Sequence, residues 1–578
     1  MPLPHRVALW LTCAAPLVWI PGGMDRFVFG KLVLSAAAIG AAAYGGRQGR
    51  LPRHVALTAA AGLGLFTLSC LLSPTPVASL VGRWPRYEGL PVVLTYVGCA
   101  WAGARILGRR SRASTEAVET ALAVGSVLLA AVSVLGALGW EIEGASVESR
   151  TGSVLGNATD QGLVGLMFFA VLFGSAVSRR TPLLVAGAVA GPLTVVLSGS
   201  RTALLATFVA LAVHAVLSMR ERPSRRVVEI TGGAFLAVGV LALALPQIRD
   251  RFGEGHTITG RLLLWKESLQ VGGDRWWLGA PSTFVDAVGR YRDDDWVREV
   301  GTRNPPDSPH SWPLQALVAG GVPLLLVAVG LAVLVLFLGW QVVQAEQSPL
   351  VAGLFAATVA YGVAILPNFT IAGSTCLAAF LVGCLVAEPA TGREPRPLAW
   401  AAVVAAAVGV VVFATSAAAE RALQDGIEQA TRGDSVAADA AFERAEHLRP
   451  LDGDVAMIAA QTQAGLADGD VSGASTRAER WARKSLDRTP DTYASGLALA
   501  VAQVHDQELE DALHTLDRFV ELYPTEPGVR IQRGLARFGL RDVAGARSDL
   551  RTAHRLDPRN PVPQRLLRKI HDLTAGRQ

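Results

Sequence analysis

The chain is poor in the residues that usually announce chemistry or compartment. Five cysteines occur in 578 residues, Cys13, Cys70, Cys99, Cys376 and Cys384, and every one lies in an apolar run. No C-x-x-C spacing exists, which removes the common zinc and dithiol motifs and leaves the five as small core hydrophobes. The net charge of +5 is spread along the chain, with no basic cluster interleaved with aromatics, so a nucleic-acid partner is not expected. A phosphate-cradling P-loop and a Ser/His/Asp set are also missing. The N-terminus lacks a convincing small-residue cleavage site, so its first apolar run is expected to remain as a span.

What the chain does have is apolar length. Up to about Ala418 it is a series of hydrophobic runs; after Glu420 it is charged, Ala-rich and helix-periodic. Runs of about 17–25 apolar residues can cross a bilayer as helices, and none of these shows strand alternation. The expectation is an all-α chain with two parts. Residues 1–418 form a polytopic transmembrane bundle of about thirteen spans, near 6–22, 27–44, 54–72, 89–106, 117–139, 160–178, 182–199, 201–218, 227–246, 312–339, 349–366, 371–387 and 398–418. Residues 419–578 form a separate helical domain. Alternate short connections carry Arg47, Arg50 and Arg53; Arg105, Arg109, Arg110 and Arg112; Arg179 and Arg180; Arg220, Arg222, Arg225 and Arg226; and Arg393 and Arg396. The positive-inside rule puts that set in the cytoplasm together with the N-terminus. The long polar loop 248–311 then faces outward, as does the C-terminal domain if the span count is odd.

The C-terminal part repeats. Pro450, Pro490, Pro524 and Pro558 are separated by 40, 34 and 34 residues, and a 34-residue period ending in Pro is the tetratricopeptide signature. Counting back, small residues fall at Gly426, Ala500 and Gly534 on first helices and at Ala438, Ala478, Ala512 and Ala546 on second helices. Ala445 and Ala553 fill the third small position, whereas Ser485 and Phe519 replace it in the middle repeats. The second repeat is six residues too long and carries Leu466 where a small residue is expected. An α-solenoid is expected, capped by a helix over 563–573, with a surface that binds a protein partner rather than catalyses. A generic Ala-rich helical bundle is the alternative.

Four outward-facing segments could carry chemistry: Ser79–Gly89, Gly152–Asn157, the short turn Leu197–Ala203, and the long loop. Arg201 sits in the turn, on the side where Arg is disfavoured, and ionisable groups at membrane depth often mark a substrate path. Snorkelling to the headgroups is the alternative. Arg261 belongs to an expected amphipathic helix, Thr259–Val271, on which Leu262, Trp265 and Leu269 share a face and Arg261 sits at its edge. It could equally be a solvated loop Arg. His310 immediately precedes a span, where a lone His is more often structural than catalytic. Asp293-Asp294-Asp295 invites a metal reading, but adjacent carboxylates do not converge on one point and an acidic run is usually solvated.

Taken together, these motifs resemble the O-antigen ligase/polymerase family. The resemblance lies in Ser-x-Ser-Arg-x-Ala-x-x-Ala at Ser198–Ala206, Gly-Arg-x-x-x-Trp at Gly260–Trp265, and a His opening the next span with Gln315 and Gly320-Gly321 behind it. Gly82–Gly89 and Gly156-Asn157 resemble the branch with C-terminal tetratricopeptide repeats. The family often has Asn after the loop His, where this chain has Ser311.

The resemblance implies a membrane glycosyltransferase at the outer face of the cytoplasmic membrane. It would move a glycan from a polyprenyl-pyrophosphate carrier to a hydroxyl of a lipid, glycan or protein, without metal or cofactor. Arg201 and Arg261 would hold the leaving pyrophosphate, since guanidinium forks match its oxygens. His310 would take the acceptor proton, as imidazoles do near neutral pH. Arg83, Arg86, Trp265 and Asn157 would contribute to substrate binding. Ligation and repeat-unit polymerisation stay open, and protein O-oligosaccharyl transfer is a third form of the same chemistry. A transporter would be expected to show paired halves with broken helices, and no internal repeat is evident among the spans. A non-catalytic envelope scaffold would not need the Arg/Arg/His set.

Overall fold

A computed structural model describes residues 1–140, 146–147, 150–151, 153–219, 256–281, 284–302, 306–390 and 396–575, with isolated positions between 229 and 240. The expected span 227–246 lies largely outside the described residues, as do the first residues of the long loop. Among the described residues seven helices are long and apolar enough to cross a membrane: Arg53–Leu71, Leu90–Leu107, Arg112–Ala137, Ala158–Arg179, Arg201–Met219, Trp312–Ala345 and Pro397–Thr431. Phe29–Tyr44, Pro182–Ser198, Pro349–Ile365 and Ala372–Val386 are shorter apolar helices packed among them. The first expected span differs. Its helix, Leu3–Ala14, has only 12 residues and gives way to a 3-10 turn at Ala15–Leu17, where Pro16 withdraws a backbone donor.

The arginines read as a topology signal also close one end of the bundle. Arg105 donates to the carbonyls of Ala42 and Ala43 (both 3.1 Å), and Arg110 to that of Leu385 (2.7 Å). Both thus satisfy last-turn carbonyls of neighbouring helices that have no partner within their own helix. At the same end Gly49–Arg50 pairs antiparallel with Glu388–Pro389, and Arg179 pairs with the buried Glu119. The arginines at 220–226 and 393 lie outside the described residues.

At the opposite end the loop segments meet. Gly82 (φ +87°) and Gly89 close a hairpin so tightly that a Cβ on Gly89 would stand 2.3 Å from the Val81 carbonyl carbon, so no side chain fits there. The helix Trp312–Ala345 is interrupted at Gly320 and Gly321. The freed groups are taken up by the loop: Ala280 N donates to Val318 O (2.5 Å) and Val322 N to Trp276 O (2.7 Å).

The loop helix is longer than expected, His256–Asp274, and it is rotated. Leu262 and Leu269, the expected apolar face with Trp265, are exposed. Leu264, Ser268 and Val271 face inward instead, and the two apolar ones pack with Phe284, Val288, Trp296 and Val318. Two stripes compete on this helix, and the less apolar one, which finds tertiary partners, is buried. Arg261 lies on the buried stripe, three residues before Leu264, so it points into the protein.

The helix Arg396–Thr431 runs unbroken through the expected boundary at 418/419 and carries the chain into eight further helices, each packed on the next. The expected small residues Ala438, Ala445, Ala478, Ala500, Ala512, Ala546 and Ala553 are all fully buried. A Cβ on Gly426 would strike the Phe442 ring at 2.4 Å. Phe519, where a small residue was expected, is accommodated by Gly496, whose added Cβ would lie 2.2 Å from that ring. Ser485 joins Ser495 through a hydrogen bond of 2.7 Å.

A buried polar knot ties the start of these helices to the bundle. Glu420 accepts from Tyr87 Oη, Arg449 Nη1 and Asp25 N, each at 2.8 Å, and is fully buried. Removing one partner of such a pair strands the other charge at a cost of roughly 3–5 kcal/mol. Glu420→Ala should therefore lower the melting temperature of the detergent-solubilised protein by several degrees; an unchanged melt would show that the knot is solvated.

Candidate active site

Three residues of one six-residue connection organise this end of the bundle. Asn368, Phe369 and Thr370 lie between the helices Pro349–Ile365 and Ala372–Val386, and each meets a different candidate group. Asn368 is buried, held by its own Nδ2 donating to Ala364 O (2.8 Å), and its Oδ1 accepts from Arg261 Nη2 (3.4 Å). Phe369 presents its ring to His310, centroids 4.7 Å apart at 86°, and carries the Arg86 guanidinium on its face at 3.1 Å. Thr370 hydrogen-bonds Glu88 and receives Gln315 Nε2 at 3.0 Å.

His310 is held by geometry on several sides. Its backbone adopts φ +49°, and its N–H reaches Ser308 Oγ at 3.4 Å. Nε2 stands 3.7 Å from Asp307 Oδ1, an ion-pair distance. Arg86 grips the same carboxylate through Nε and Nη2, both at 3.0 Å. Burial would raise the Asp307 pKa, but the facing His310 and the charge and hydrogen bonds of Arg86 hold it well below the usual carboxylate range. An anionic Asp307 facing Nε2 favours the proton on that nitrogen and leaves Nδ1 as the basic one.

Arg201 opens its helix in the turn after Gly199, which takes the left-handed conformation that ends the preceding helix. Ser198 Oγ accepts from Ser200 N (3.2 Å), and Ser200 Oγ from Ala203 N (3.3 Å), so the serines build the turn that presents Arg201 at a helix N-terminus. Arg261 has its pKa lowered by burial and then by the charge of Arg201. The two guanidiniums therefore share one neighbourhood, and Arg261 meets a neutral amide there rather than a carboxylate. An anion entering that neighbourhood is favoured by both charges and by the helix end.

The other expected residues are placed as follows. Arg86 lines a cavity of about 90 Å³ with Trp84, Glu88, Asp307, Pro309 and Gln315. Trp265 is half-buried, and its indole N–H is buried without a hydrogen-bond partner among the described residues. Asn157 caps its helix, Oδ1 accepting from Thr159 N at 2.8 Å. One turn on, the buried Asp160 accepts from Ser374 N (3.0 Å) and ties that helix to the one after Thr370. Arg83 has its guanidinium between Asp286 and Asp454, with its side chain 11% exposed, so it joins protein parts rather than pointing at the Arg201–Arg261 neighbourhood.

Asp293 Oδ1 caps a short helix while Oδ2 takes Lys266, and Asp295 pairs with Arg298. Among the described residues no three His, Cys, Asp or Glu side chains converge as a metal set.

Asp307, Glu88 and the segment Asn368–Thr370 were not singled out from the sequence. Asp307 lies three residues before His310 and was available to a spacing argument; the connection carries no motif.

The charge on Asp307 has a testable consequence. A carboxylate held below its ordinary pKa adds stability that is present above about pH 4 and lost as the pH falls through the folded value. Asp307→Asn should abolish that part of the acid sensitivity, so that melting curves of variant and wild type converge as the pH is lowered. Parallel curves would overturn the assignment.

No curated protein matches the chain. Residues 184–329 match the O-antigen ligase family model. That stretch, well under half of the chain, holds Arg201, Arg261, Trp265 and His310; with the apolar helices around it, the match supports a multi-pass membrane protein similar there to O-antigen ligases.

Proposed function

We propose that the protein transfers a glycan from a polyprenyl-pyrophosphate carrier to an acceptor hydroxyl at the outer face of the cytoplasmic membrane. One observation carries this reading: Asn368 and Phe369, adjacent in the chain, meet Arg261 and His310 respectively, with the Arg201 charge acting on Arg261 and Asp307 facing His310. Glycosyl transfer needs charge stabilisation of a leaving pyrophosphate next to a base for the attacking hydroxyl.

In the proposed reaction the acceptor oxygen attacks the anomeric carbon and its proton passes to Nδ1 of His310. Asp307 stabilises the imidazolium that forms. The bond from the anomeric carbon to the pyrophosphate oxygen breaks, and the polyprenyl pyrophosphate leaves with its electron pair, its negative charge held by Arg201 and Arg261. Electrostatic stabilisation of that leaving group contributes more to the rate than removal of the acceptor proton does. Trp265 offers its unpartnered N–H to the donor side, and Arg86 keeps Asp307 ionised. The chemistry asks for no metal.

We also read the C-terminal helices as tetratricopeptide repeats, on the proline spacing and the buried small residues at the helix crossings. They would present the acceptor, or a protein that carries it, above the site. Ligase and polymerase differ in product: purified protein with a polyprenyl-pyrophosphate oligosaccharide should add one glycan in the first case and a ladder in the second. No turnover with any acceptor would favour a transporter or scaffold.

Arg201→Ala, Arg261→Ala and His310→Ala should each lower transfer by about 10²-fold or more without loss of membrane expression. Arg→Lys should rescue poorly, because an ammonium lacks the fork. Chelators should leave the rate unchanged. Full activity in His310→Ala would remove the base from the mechanism. For orientation, reporter fusions after Arg112 and Arg180 should read cytoplasmic and one near Gly289 external; a cytoplasmic signal at Gly289 would overturn the outer-face assignment.

A further inference from the structure

We infer that the C-terminal helices are part of the catalytic unit, and that Arg83, which lines the Arg86–Asp307 cavity, is held with Asp286 and Asp454 as a set of positioning residues for the Arg86–Asp307–His310 geometry. The inference rests on the transferase reading above and concerns the same site.

Three parts of the chain meet at one guanidinium. Arg83 belongs to the hairpin closed by Gly82 and Gly89, Asp286 to the long loop, and Asp454 to the second helix beyond the membrane bundle, Gly453–Asp468. Arg83 Nε and Nη2 donate to Asp454 Oδ1 at 3.0 and 2.7 Å, and Nη1 pairs with Asp286. The other Asp454 oxygen accepts from the backbone N of Trp84 at 2.7 Å, so the aspartate fixes both the side chain and the main chain of the hairpin. Side-chain exposures of 11% for Arg83, 9% for Asp286 and 1% for Asp454 put the triad out of water, where it is poorly screened.

The C-terminal helices also hold the loop. Thr492 Oγ1 donates to Asp286 Oδ2 at 3.2 Å, and a Cβ on Gly289 would lie 2.3 Å from the Tyr523 ring. Arg292, 5% exposed, pairs with Glu526 at 2.7 Å.

The hairpin and the loop are the two elements that supply the site. Only Trp84 and Pro85 separate Arg83 from Arg86, and Arg86 grips Asp307 beside His310. Glu88, on the same hairpin, bonds Thr370 and Gln315. A shift of the hairpin therefore moves Arg86 and, through it, the carboxylate that orients the imidazole. A misplacement of about 1 Å in such a constellation can cost on the order of 10²-fold in rate.

This arrangement differs in its consequences from a domain that only gathers acceptor. A gathering domain changes apparent affinity for an acceptor that reaches it and leaves a small soluble acceptor unaffected. A positioning role lowers kcat for every acceptor.

The test uses the full-length protein in nanodiscs, with Asp454→Asn and Arg83→Lys, and Glu479→Gln as a control that breaks an ion pair with Arg483 elsewhere on the C-terminal helices. Hydrogen exchange and transfer to a small soluble acceptor are both measured. Both clasp variants should exchange faster at 83–89 and at 306–311, and should lose kcat by at least about tenfold with acceptor KM little changed. The control should match wild type in both. Unchanged exchange at 306–311 would overturn the inference, and so would a raised KM with intact kcat. If wild type itself transfers nothing, the transferase reading fails, while the exchange measurement still decides the coupling. Should Asp454→Asn not accumulate, Arg83→Lys, which keeps the charge and loses the fork, reads the same coupling.

Discussion

Charge withdrawn from water must be balanced where it lies, and at the junction of hairpin, loop and C-terminal helices this requirement fixes the relative position of all three. Arg83 is buried, which alone would disfavour its charge, yet Asp286 and Asp454 more than restore it. Neither aspartate is near Arg83 in sequence. The triad forms only when the hairpin, the long loop and the helix Gly453–Asp468 come together, so its cost of desolvation is offset in one arrangement and not in others. Glu420 with Tyr87 and Arg449, and Arg292 with Glu526, repeat the logic nearby. Buried pairs of this kind contribute little net stability compared with apolar packing, but breaking one strands a charge. Their effect is to seat a long loop that would otherwise have many places to lie.

Arg261 departs from that rule. At the junction guanidiniums meet carboxylates, whereas Arg261 meets an amide oxygen at 3.4 Å and feels the like charge of Arg201. The Arg201 charge opposes that of Arg261, and an anion placed near both would be favoured by each. In the proposed reaction such an arrangement would suit a leaving group whose charge grows as its bond breaks. A neutral ligand would draw nothing from it.

How much of this could be read from residues alone depends on what each signal reports. Apolar run length marked the helices well, since crossing a bilayer leaves few alternatives. It failed at 6–22, where Pro16 ends the helix after 12 residues of a longer apolar run. The boundary at 418 fell inside Arg396–Thr431 because Ser416 to Leu423 contains no glycine or proline to stop a helix, whatever the change in polarity. On the loop helix, spacing identified the period but not which stripe would be buried; only Phe284, Val288 and Trp296 decide that, and they are distant in sequence. Arg201 stood out as a charge at a membrane end, His310 as a lone His before a span, and Arg261 only through its place on the loop helix. Asn368, Phe369 and Thr370 were not, because an ordinary polar turn between two apolar helices looks like any other.

That turn is nevertheless where the parts of the site acquire a common frame. Asn368 is anchored to the helix before it, and Thr370 is bonded to Glu88 of the hairpin and Gln315 of the kinked helix. Phe369 between them can shift only if both anchors yield. Its face supports Arg86 and its ring meets the imidazole, so His310 rests on the same three residues whose first member touches Arg261. In the proposed reaction the two halves of the chemistry, charge stabilisation and proton removal, would thus come from separate helices and loops that share one short stretch of backbone. A displacement of Arg261 large enough to drag Asn368 is a displacement of the surface on which His310 stands.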